Sequence, residues 1–415
     1  MRQNDKVIVV GGGIVGLCCA LAVQRRGGSV LLIDPNRNPP PASYGNAGHI
    51  AIEQVEPLAS LAMLRSVLRR LTIFGGPVSL PLGQIGKWLP FGFRLAAAAR
   101  PERFAAGKAA LGALLGEAMP AWRRLAASLE PSGLLMESGH AVVWHGERAA
   151  ADGLRAWQGT DTGTARFHAC SKEELAWLGR VMKTPPAGGI RFENTGQVAD
   201  PASVLAALDD AFRQAGGERR IALVRAIEIA GNSAELVLAD GERLGPRHLV
   251  IAAGVDSGAL LKPLGLQAPL IAERGYHIQT AKHGWPADLP PIVFEERSLI
   301  VTRFRSGVRA SGFVEFGQRD APPDVRKWRR LEEHAAALGL PAESPWQHWV
   351  GSRPTLPDYL PAIGKVSQAS NLFYAFGHQH LGLTMGPVTG ELIAALIGGQ
   401  DPQIALKPFD LMRFA

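Results

Sequence analysis

A glycine-rich hexapeptide near the N-terminus has the composition of a phosphate-binding turn. The segment Gly-Gly-Gly-Ile-Val-Gly begins at Gly11 and matches the pattern G-x-G-x-x-G. In this pattern Gly11 permits a tight turn, Gly13 lets the backbone approach a pyrophosphate, and Gly16 lets a helix pack on the preceding strand. A helix that starts at Ile14 and Val15 directs its free N–H groups and its dipole at an anion. The chemistry predicted here is dinucleotide binding.

The elements around this turn favour the same prediction. Residues 6–10 form a short β-branched run suited to a buried parallel strand, and residues 14–26 have the pattern of a helix. A second apolar run, residues 29–33, ends at Asp34, whose carboxylate can accept hydrogen bonds from ribose hydroxyls. Asp34 would repel a 2′-phosphate, so the segment favours NAD or FAD over NADP.

Composition restricts the class of protein. The chain has 415 residues, 47% of them hydrophobic, which suits a globular protein of two or three domains or of two interleaved ones. Its net charge of +7 suits an anionic cofactor, an anionic substrate or an acidic lipid surface. No long Lys/Arg run is present, so we do not expect nucleic-acid binding. We expect reduced cysteines and no metal site, because the three cysteines, Cys18, Cys19 and Cys170, form no CxxC pair.

The apolar N-terminal run lacks the flanks of a signal peptide. Asp5 occupies what would be a basic region, and the polar residues 24–26 follow where a cleavage site would lie. We therefore expect a cytoplasmic protein without a signal peptide.

The spacing of the next strand distinguishes the two cofactors. In a nicotinamide dehydrogenase the parallel strands would follow at short intervals, but the next clear one here is residues 248–254. Two-dinucleotide flavoproteins interrupt the Rossmann unit in this way, and the ending Ala252-Ala253-Gly254 resembles their second fingerprint. The interruption therefore favours FAD.

Three motifs carry a more specific resemblance. Residues 43–50 read Ser-Tyr-Gly-Asn-Ala-Gly-His-Ile, residues 351–364 contain G-x-R-P followed by P-D-x-x-P-x-I-G, and residues 376–390 begin Phe-Gly-His-Gln-His. Over nearly its whole length the chain resembles the D-amino-acid oxidase and dehydrogenase superfamily. Within it, the chain is most similar to bacterial D-amino-acid dehydrogenases and their D-hydroxyproline dehydrogenase relatives.

The resemblance implies an α/β (α+β) fold, a Rossmann-like FAD-binding domain with an interleaved substrate domain on an antiparallel β-sheet. The FAD-binding domain is expected to comprise residues 1–56, 190–265 and 345–415. The substrate domain is expected to comprise residues 57–189, with a helical insertion, and 266–344. The strand-like runs 270–280, 299–304 and 308–316, with a hairpin turn at 305–307, suit its antiparallel sheet.

The resemblance also implies the cofactor contacts. Noncovalent FAD is expected because no cysteine follows Cys170, whereas relatives with covalent flavin use a C-terminal cysteine; a histidine linkage stays open. The expected contacts are Gly11, Gly13, Ile14, Val15, Gly16, Asp34, Ser43, Asn46, Ala47, Gly48, Val224, Ala253, Gly254, Gly377, Gly382, Leu383 and Thr384.

Arg353 is the first candidate for substrate binding. By the resemblance it holds the substrate carboxylate, for which a guanidinium fork is suited; an ion pair with Asp358 is the alternative. Tyr276 could donate to the same carboxylate or be a half-buried strand residue. His380 and His49 could accept the proton of the substrate ammonium or only line the pocket. Arg303 is a second carboxylate or flavin candidate.

These residues suggest an FAD-dependent dehydrogenase that oxidises a D-amino or cyclic imino acid, such as D-proline or cis-4-hydroxy-D-proline, to the imine. A glycine/sarcosine-type oxidase that uses O₂ and a catalytically silent flavin subunit are the alternatives. The expected electron acceptor is a quinone or another carrier, and the oligomeric state is open.

Residues 58–71, with Arg65, Arg69 and Arg70, and the later Trp88 and Phe93 suggest either a membrane-surface patch or a solvated helix face with core aromatics.

Overall fold

The first strand, turn and helix form as the sequence predicts. The computed structural model describes residues 5–35, 41–72 and 76–415, with only the backbone for 67–70. Strand β1 (Val7–Val10) leads into helix α1 (Ile14–Arg25), and both are largely buried. Gly11 between them has φ +112°, and a Cβ there would lie 2.3 Å from the carbonyl oxygen of Ala252. Only glycine therefore fits this turn.

The turn belongs to a six-stranded sheet in the order β10-β2-β1-β14-β21-β20. All neighbours are parallel except the last pair. The strand beside β1 comes from residues 248–251, which confirms the predicted long interruption. This is the Rossmann-like sheet expected of a dinucleotide-binding domain. Its other strands are β2 (Val30–Asp34), β10 (Glu218–Ile221), β14 (His248–Ile251), β20 (Ala362–Lys365) and β21 (Leu372–Phe376).

A second, larger sheet has the order β19-β15-β18-β17-β16-β6-β8-β7, with β4 beside β18. It is antiparallel except where β16 meets β6 and β4 meets β18, and it confirms the predicted antiparallel sheet. Its strands are β4 (Val78–Ser79), β6 (His140–Trp144), β7 (Phe167–Ala169), β8 (Gly188–Phe192), β15 (Ile271–Thr280), β16 (Ile292–Phe294), β17 (Leu299–Phe304), β18 (Gly307–Gly317) and β19 (Gln347–Thr355).

Two three-stranded sheets complete the β-structure, one in the order β3-β9-β5 and one in the order β11-β12-β13. The chain passes from the Rossmann-like sheet to one of these sheets between Ile221, where β10 ends, and Val224, where β11 begins. The strands are β3 (His49–Ile50), β5 (Leu135–Met136), β9 (Gly196–Val198), β11 (Val224–Ala230), β12 (Ser233–Leu238) and β13 (Arg243–Leu244).

The predicted helical insertion is present as four helices in the described part of residues 61–126. They are α2 (Leu61–Arg70), α3 (Ile85–Ala98), α4 (Pro101–Gly116) and α5 (Ala118–Ala126). The remaining helices are α6 (Glu147–Gln158), α7 (Lys172–Gly179), α8 (Pro201–Gln214), α9 (Ser257–Leu261), α10 (Val325–Leu338) and α11 (Gly382–Ile397).

Helices α1 and α11 form the core beneath the Rossmann-like sheet. They approach closely because Gly386 and Gly390 of α11 lie against Ile14 and Cys18. Cys18 and Cys19 are buried and free, as expected of small apolar residues. The helical stretch 379–397 is long and apolar enough to cross a membrane, but 72% of its apolar window is buried inside the protein.

One predicted domain boundary is displaced. Residue 345 was expected to return the chain to the FAD-binding domain, yet strand β19 pairs with β15 along its length and extends the substrate sheet. The chain rejoins the Rossmann-like sheet at β20 instead. The motif containing Arg353 is therefore part of the second sheet, which places it opposite the residues of β15.

Candidate active site

One large cavity connects the glycine turn with the second sheet. Its volume is about 1710 Å³, and its wall runs from the turn past the loop 43–47 to Arg353. Single ligand pockets commonly measure about 300–1,000 Å³. The cavity is therefore large enough to hold a dinucleotide and a small substrate side by side.

The turn presents groups that fit FAD. The Gly12 N–H donates to Oδ2 of Asp34 at 2.6 Å, which brings this carboxylate to the cavity wall. The Ile14 N–H, at the start of α1, donates to the Ser43 hydroxyl at 3.1 Å. Gly13 lines the cavity, and a Cβ there would already touch the same hydroxyl at 3.4 Å, so its backbone faces the space that a ligand would occupy. Ribose at Asp34 and pyrophosphate at the helix start suit this donor and acceptor set.

Most of the expected cofactor contacts line this cavity. Four residues do not line it. Gly16 lies behind Gly11, whereas Gly48 and Gly377 shape the loops that carry the wall. The fourth is Thr384, whose hydroxyl accepts from the Ala51 N–H at 3.0 Å. Those that line it are Gly11, Gly13, Ile14, Val15, Asp34, Ser43, Asn46, Ala47, Val224, Ala253, Gly254, Gly382 and Leu383.

The loop 43–48 is held by side chains of the second sheet, which the sequence analysis missed. Arg309 of β18 is buried and donates to the carbonyls of Tyr44 and Asn46. Nδ1 of His277 lies 3.1 Å from the carbonyl oxygen of Gly45, and burial lowers the pKa of this histidine, so the neutral ring donates here. Trp349 packs on Gly45 and stacks on His277. Alternation along β15 and β18 is the signal that could have placed these side chains on one face.

Arg353 lies on the cavity wall, opposite Glu273 of β15. Its Nη1 donates to Oε1 of Glu273 at 3.1 Å. The other carboxylate oxygen accepts from the Thr355 hydroxyl at 2.9 Å and the Tyr359 hydroxyl at 3.4 Å. A Cβ on Gly275 would lie 2.4 Å from Nη2 of Arg353, so the guanidinium rests directly on this glycine.

The alternative for Arg353, an ion pair with Asp358, is wrong. The Asp358 carboxylate accepts from Nε of Arg413 at 2.7 Å. Glu273, the actual partner, immediately precedes the Arg-Gly-Tyr sequence at 274–276, and only the strand register reveals it.

His380 lies on the same wall and is electrostatically coupled to Glu273 and Arg353. Its Nε2 is hydrogen-bonded to Oε1 of Gln54. Burial lowers the pKa of His380 to about 4. The ring is therefore neutral near pH 7 and adds no cation to the cavity.

His49 also lines the cavity and belongs to a buried cluster with Glu53 and His140. Its Nδ1 lies 3.2 Å from the Gly196 carbonyl oxygen, and its Nε2 lies 3.1 Å from Oε1 of Glu53. Burial would raise the pKa of Glu53, but the two histidines and the hydrogen bond from His49 outweigh it and lower this pKa to about 2. Burial lowers the pKa of His140 to about 3.

The three ligand-type atoms of this cluster lie within 4.8 Å of one another, which a bound cation could use. The His49–Glu53 ion pair accounts for the same geometry without one, and the absence of a metal stays a prediction.

Two sequence candidates do not reach the cavity. Tyr276 is buried on the other face of β15, where it accepts from the Asp324 N–H at 3.1 Å and meets the ring of Trp328. Burial raises its pKa to about 12. The pairing of β15 with β19 is regular through this stretch, so alternation places Tyr276 on the face opposite Glu273. Arg303 of β17 is absent from the cavity wall, and its Nε is buried without a hydrogen-bond partner.

A match with a family model covers almost the whole chain. The model for FAD dependent oxidoreductases (DAO) matches residues 6–396. The chain belongs to this family. Its cofactor is therefore FAD.

Curated relatives match over their full length. One, named D-amino-acid oxidase, from Bradyrhizobium diazoefficiens, is 29% identical over 100% of both chains. Another, named D-amino acid dehydrogenase, from Paramagnetospirillum magneticum, is 26% identical over 99% of both.

Solved structures share the fold. Glycine oxidase from Geobacillus kaustophilus has a TM-score of 0.75 with 21% identity over 98% of each chain. Iminodiacetate oxidase from Chelativorans sp. BNC1 has a TM-score of 0.73 with 19% identity over 98% of each chain. These likenesses confirm the fold class expected from the sequence.

Proposed function

We propose that the protein is an FAD-dependent dehydrogenase that oxidises a D-amino acid or a cyclic imino acid to the corresponding imine. The observation that carries this proposal is Arg353, a guanidinium on the wall of the cofactor cavity. The full-length relatives named D-amino-acid oxidase and D-amino acid dehydrogenase support it.

Each part of the site has a role in this reaction. FAD held at the glycine turn and Asp34 would supply the hydride acceptor for oxidation at the substrate Cα. Arg353 binds the substrate carboxylate and fixes the direction of the Cα–H bond. The neutral His380 lines the space beside it and adds no charge there. Helices α2 and α3 cover the cavity with apolar side chains, Met63, Leu64, Trp88, Phe91 and Leu95, and exclude water.

We propose D-proline or cis-4-hydroxy-D-proline as the finer substrate. An apolar cover of this kind, which includes Trp88, Phe91 and Leu95, suits a compact ring.

Anaerobic flavin reduction tests the function. The purified holoenzyme is mixed with D-, L- and N-alkyl amino acids, and flavin absorbance near 450 nm is followed. Bleaching by D-amino acids, fastest with D-proline or its hydroxy derivative, is expected. Preference for glycine or sarcosine would redirect the assignment to the glycine/sarcosine oxidase reaction. No bleaching with any amine would indicate a silent flavin subunit.

The acceptor is tested separately. We propose a quinone, with O₂ as the alternative that the oxidase relative favours. Peroxide yield compared with quinone reduction under air distinguishes the two.

We further propose peripheral contact of the insertion with the inner face of the cytoplasmic membrane. Large apolar side chains are exposed along the start and one face of α3, with Leu82 82% and Phe93 69% exposed. Ile85 and Leu89 continue this stripe, and the exposed Lys87 and Arg94 flank it. Apolar side chains beside cations are the pattern of an interfacial helix on an anionic lipid surface. The side chains of Arg69 and Arg70, which the sequence analysis included, lie outside the described residues.

Co-sedimentation with lipid vesicles tests the membrane contact. The protein is expected to bind vesicles that contain anionic lipid at low salt, and Phe93→Ser combined with Leu82→Ser to reduce binding about tenfold. Ile221→Ser is the matched control, because Ile221 is also 69% exposed but lies outside the insertion. Equal binding by all three proteins, or none by the wild type, would contradict the contact.

A further inference from the structure

The ion pair between Arg353 and Glu273 has a consequence for substrate charge. Glu273 is only 3% exposed, whereas the side chain of Arg353 is 28% exposed towards the cavity. The carboxylate forms an ion pair with the guanidinium and accepts two further hydrogen bonds, from the hydroxyls of Thr355 and Tyr359. This corner of the cavity therefore has no net charge before a substrate binds.

The other arginines in the described part of the wall add no unpaired positive charge beside this ion pair. Of the other arginines on the described wall, Arg274 pairs with Glu315, and Arg319 pairs with Asp256 and Asp320. Arg225, beside Val224, is solvent-exposed.

The histidines on the wall add no free cation either. His380 is neutral near pH 7 because burial lowers its pKa to about 4, and His49 faces the carboxylate of Glu53.

We propose that Glu273 is a specificity-determining residue that restricts the enzyme to amino acids with a single carboxylate. A zwitterion adds one negative and one positive charge, so the carboxylate on Arg353 is balanced by its own ammonium. A second carboxylate would bring an uncompensated charge into a partly desolvated site, which is costly. This inference rests on the proposed binding of the substrate carboxylate by Arg353.

Isosteric substrate pairs test the idea in the wild-type holoenzyme. D-asparagine and D-aspartate differ only by an amide in place of a carboxylate, as do D-glutamine and D-glutamate. We expect kcat/KM to favour the amide of each pair by at least about tenfold, mainly through KM. If neither member of a pair is oxidised, the amide and the acid are compared as competitive inhibitors of the oxidation of the best D-amino acid. Equal values for amide and acid would overturn the proposal.

Variants of Glu273 and of its hydrogen-bond donor Tyr359 make the test more specific. Glu273→Gln removes the charge with little change of volume and is expected to lower the amide-over-acid preference at least about tenfold. Tyr359→Phe is the matched control, since it removes a neutral donor to the same carboxylate, and its preference is expected to equal that of the wild type. An unchanged preference in E273Q, or an equal loss in Y359F, would overturn the role of charge.

The proposed function and the proposed role of Glu273 would be contradicted by different results. A wild-type holoenzyme whose flavin is bleached by no D-amino acid would contradict the proposed function. Bleaching by neutral D-amino acids with equal use of D-aspartate and D-glutamate would contradict only the role of Glu273.

Discussion

At the scale of single residues, the site depends on pairs that lie far apart in the chain. The motif around residue 353 was sufficient to identify the arginine, because a G-x-R-P sequence is local. Its partner Glu273 lies 80 positions earlier, and only the pairing of β15 with β19 brings the two together. Tyr276 shows the opposite error, since it was expected in the pocket but alternation along β15 places it on the other face from Glu273, in the core.

Arg353→Lys is expected to lower kcat/KM for the best D-amino acid at least about 100-fold. Lysine keeps the charge but loses the fork that binds a carboxylate through two N–H groups. The loss should appear chiefly in KM, measured by steady-state dye reduction.

Arg413→Lys is the matched control for this variant. Arg413 is paired with Asp358, which belongs to the same sequence motif as Arg353, but Arg413 itself is not on the cavity wall. Its kinetics should stay near wild type. A normal KM in R353K would remove Arg353 from substrate binding.

At the scale of elements, the cofactor loop and the second sheet act together. The resemblance predicts a flavin-contacting loop at residues 43–50. The carbonyls of Tyr44, Gly45 and Asn46 in this loop accept from strands more than 200 residues later. Hydrophobic pattern predicts such strands well, since alternation is local. It cannot predict which of their polar side chains meet a distant loop.

Arg309→Met is therefore expected to weaken FAD binding about tenfold or more. The substitution removes the donor to the loop carbonyls, and methionine can still pack on the Phe304 ring that the guanidinium covers. The buried carboxylate of Asp200, which interacts electrostatically with Arg309, keeps its hydrogen bonds from the Ala202 N–H and the Ser306 hydroxyl. The ratio of flavin to protein after dialysis and the Kd from flavin fluorescence quenching measure this effect.

Arg305→Met serves as the control for the loop. Arg305 lies on the exposed hairpin turn between β17 and β18 and donates to the Gly133 carbonyl instead. Equal FAD affinity in R309M and R305M would show that the loop does not need the anchor.

At the scale of the whole molecule, the topology could be predicted from the sequence, but the burial of titratable side chains could not. The Rossmann-like sheet, its long interruption and the antiparallel second sheet follow from short apolar runs and glycine turns. The displaced boundary at β19 and the burial of several histidines depend on tertiary packing, which a single sequence does not encode locally. These buried histidines have a consequence for the stability of the entire protein.

Stability is expected to fall as the pH drops from about 6.5 towards 4. Burial lowers the pKa of His378 and of His140 to about 3 and that of His380 to about 4, below the usual value near 6.5. In this window the unfolded chain binds protons that the folded protein excludes, so each proton favours unfolding. Each histidine should cost about 1–2 kcal/mol at pH 5 relative to pH 7. Glu53, with a pKa near 2, adds a loss only below about pH 4.5.

His378→Gln isolates one of these contributions. The shift of His378 comes from burial alone, and its Nε2 meets the Thr389 hydroxyl at 2.9 Å, a partner that glutamine can also reach. The Tm of the holoenzyme, measured by calorimetry from pH 7 to pH 5, should fall less steeply in H378Q than in the wild type. His168→Gln is the control, since His168 is exposed and paired with Glu174 on the surface. A wild-type Tm that does not change over this range would contradict the neutral burial of these histidines.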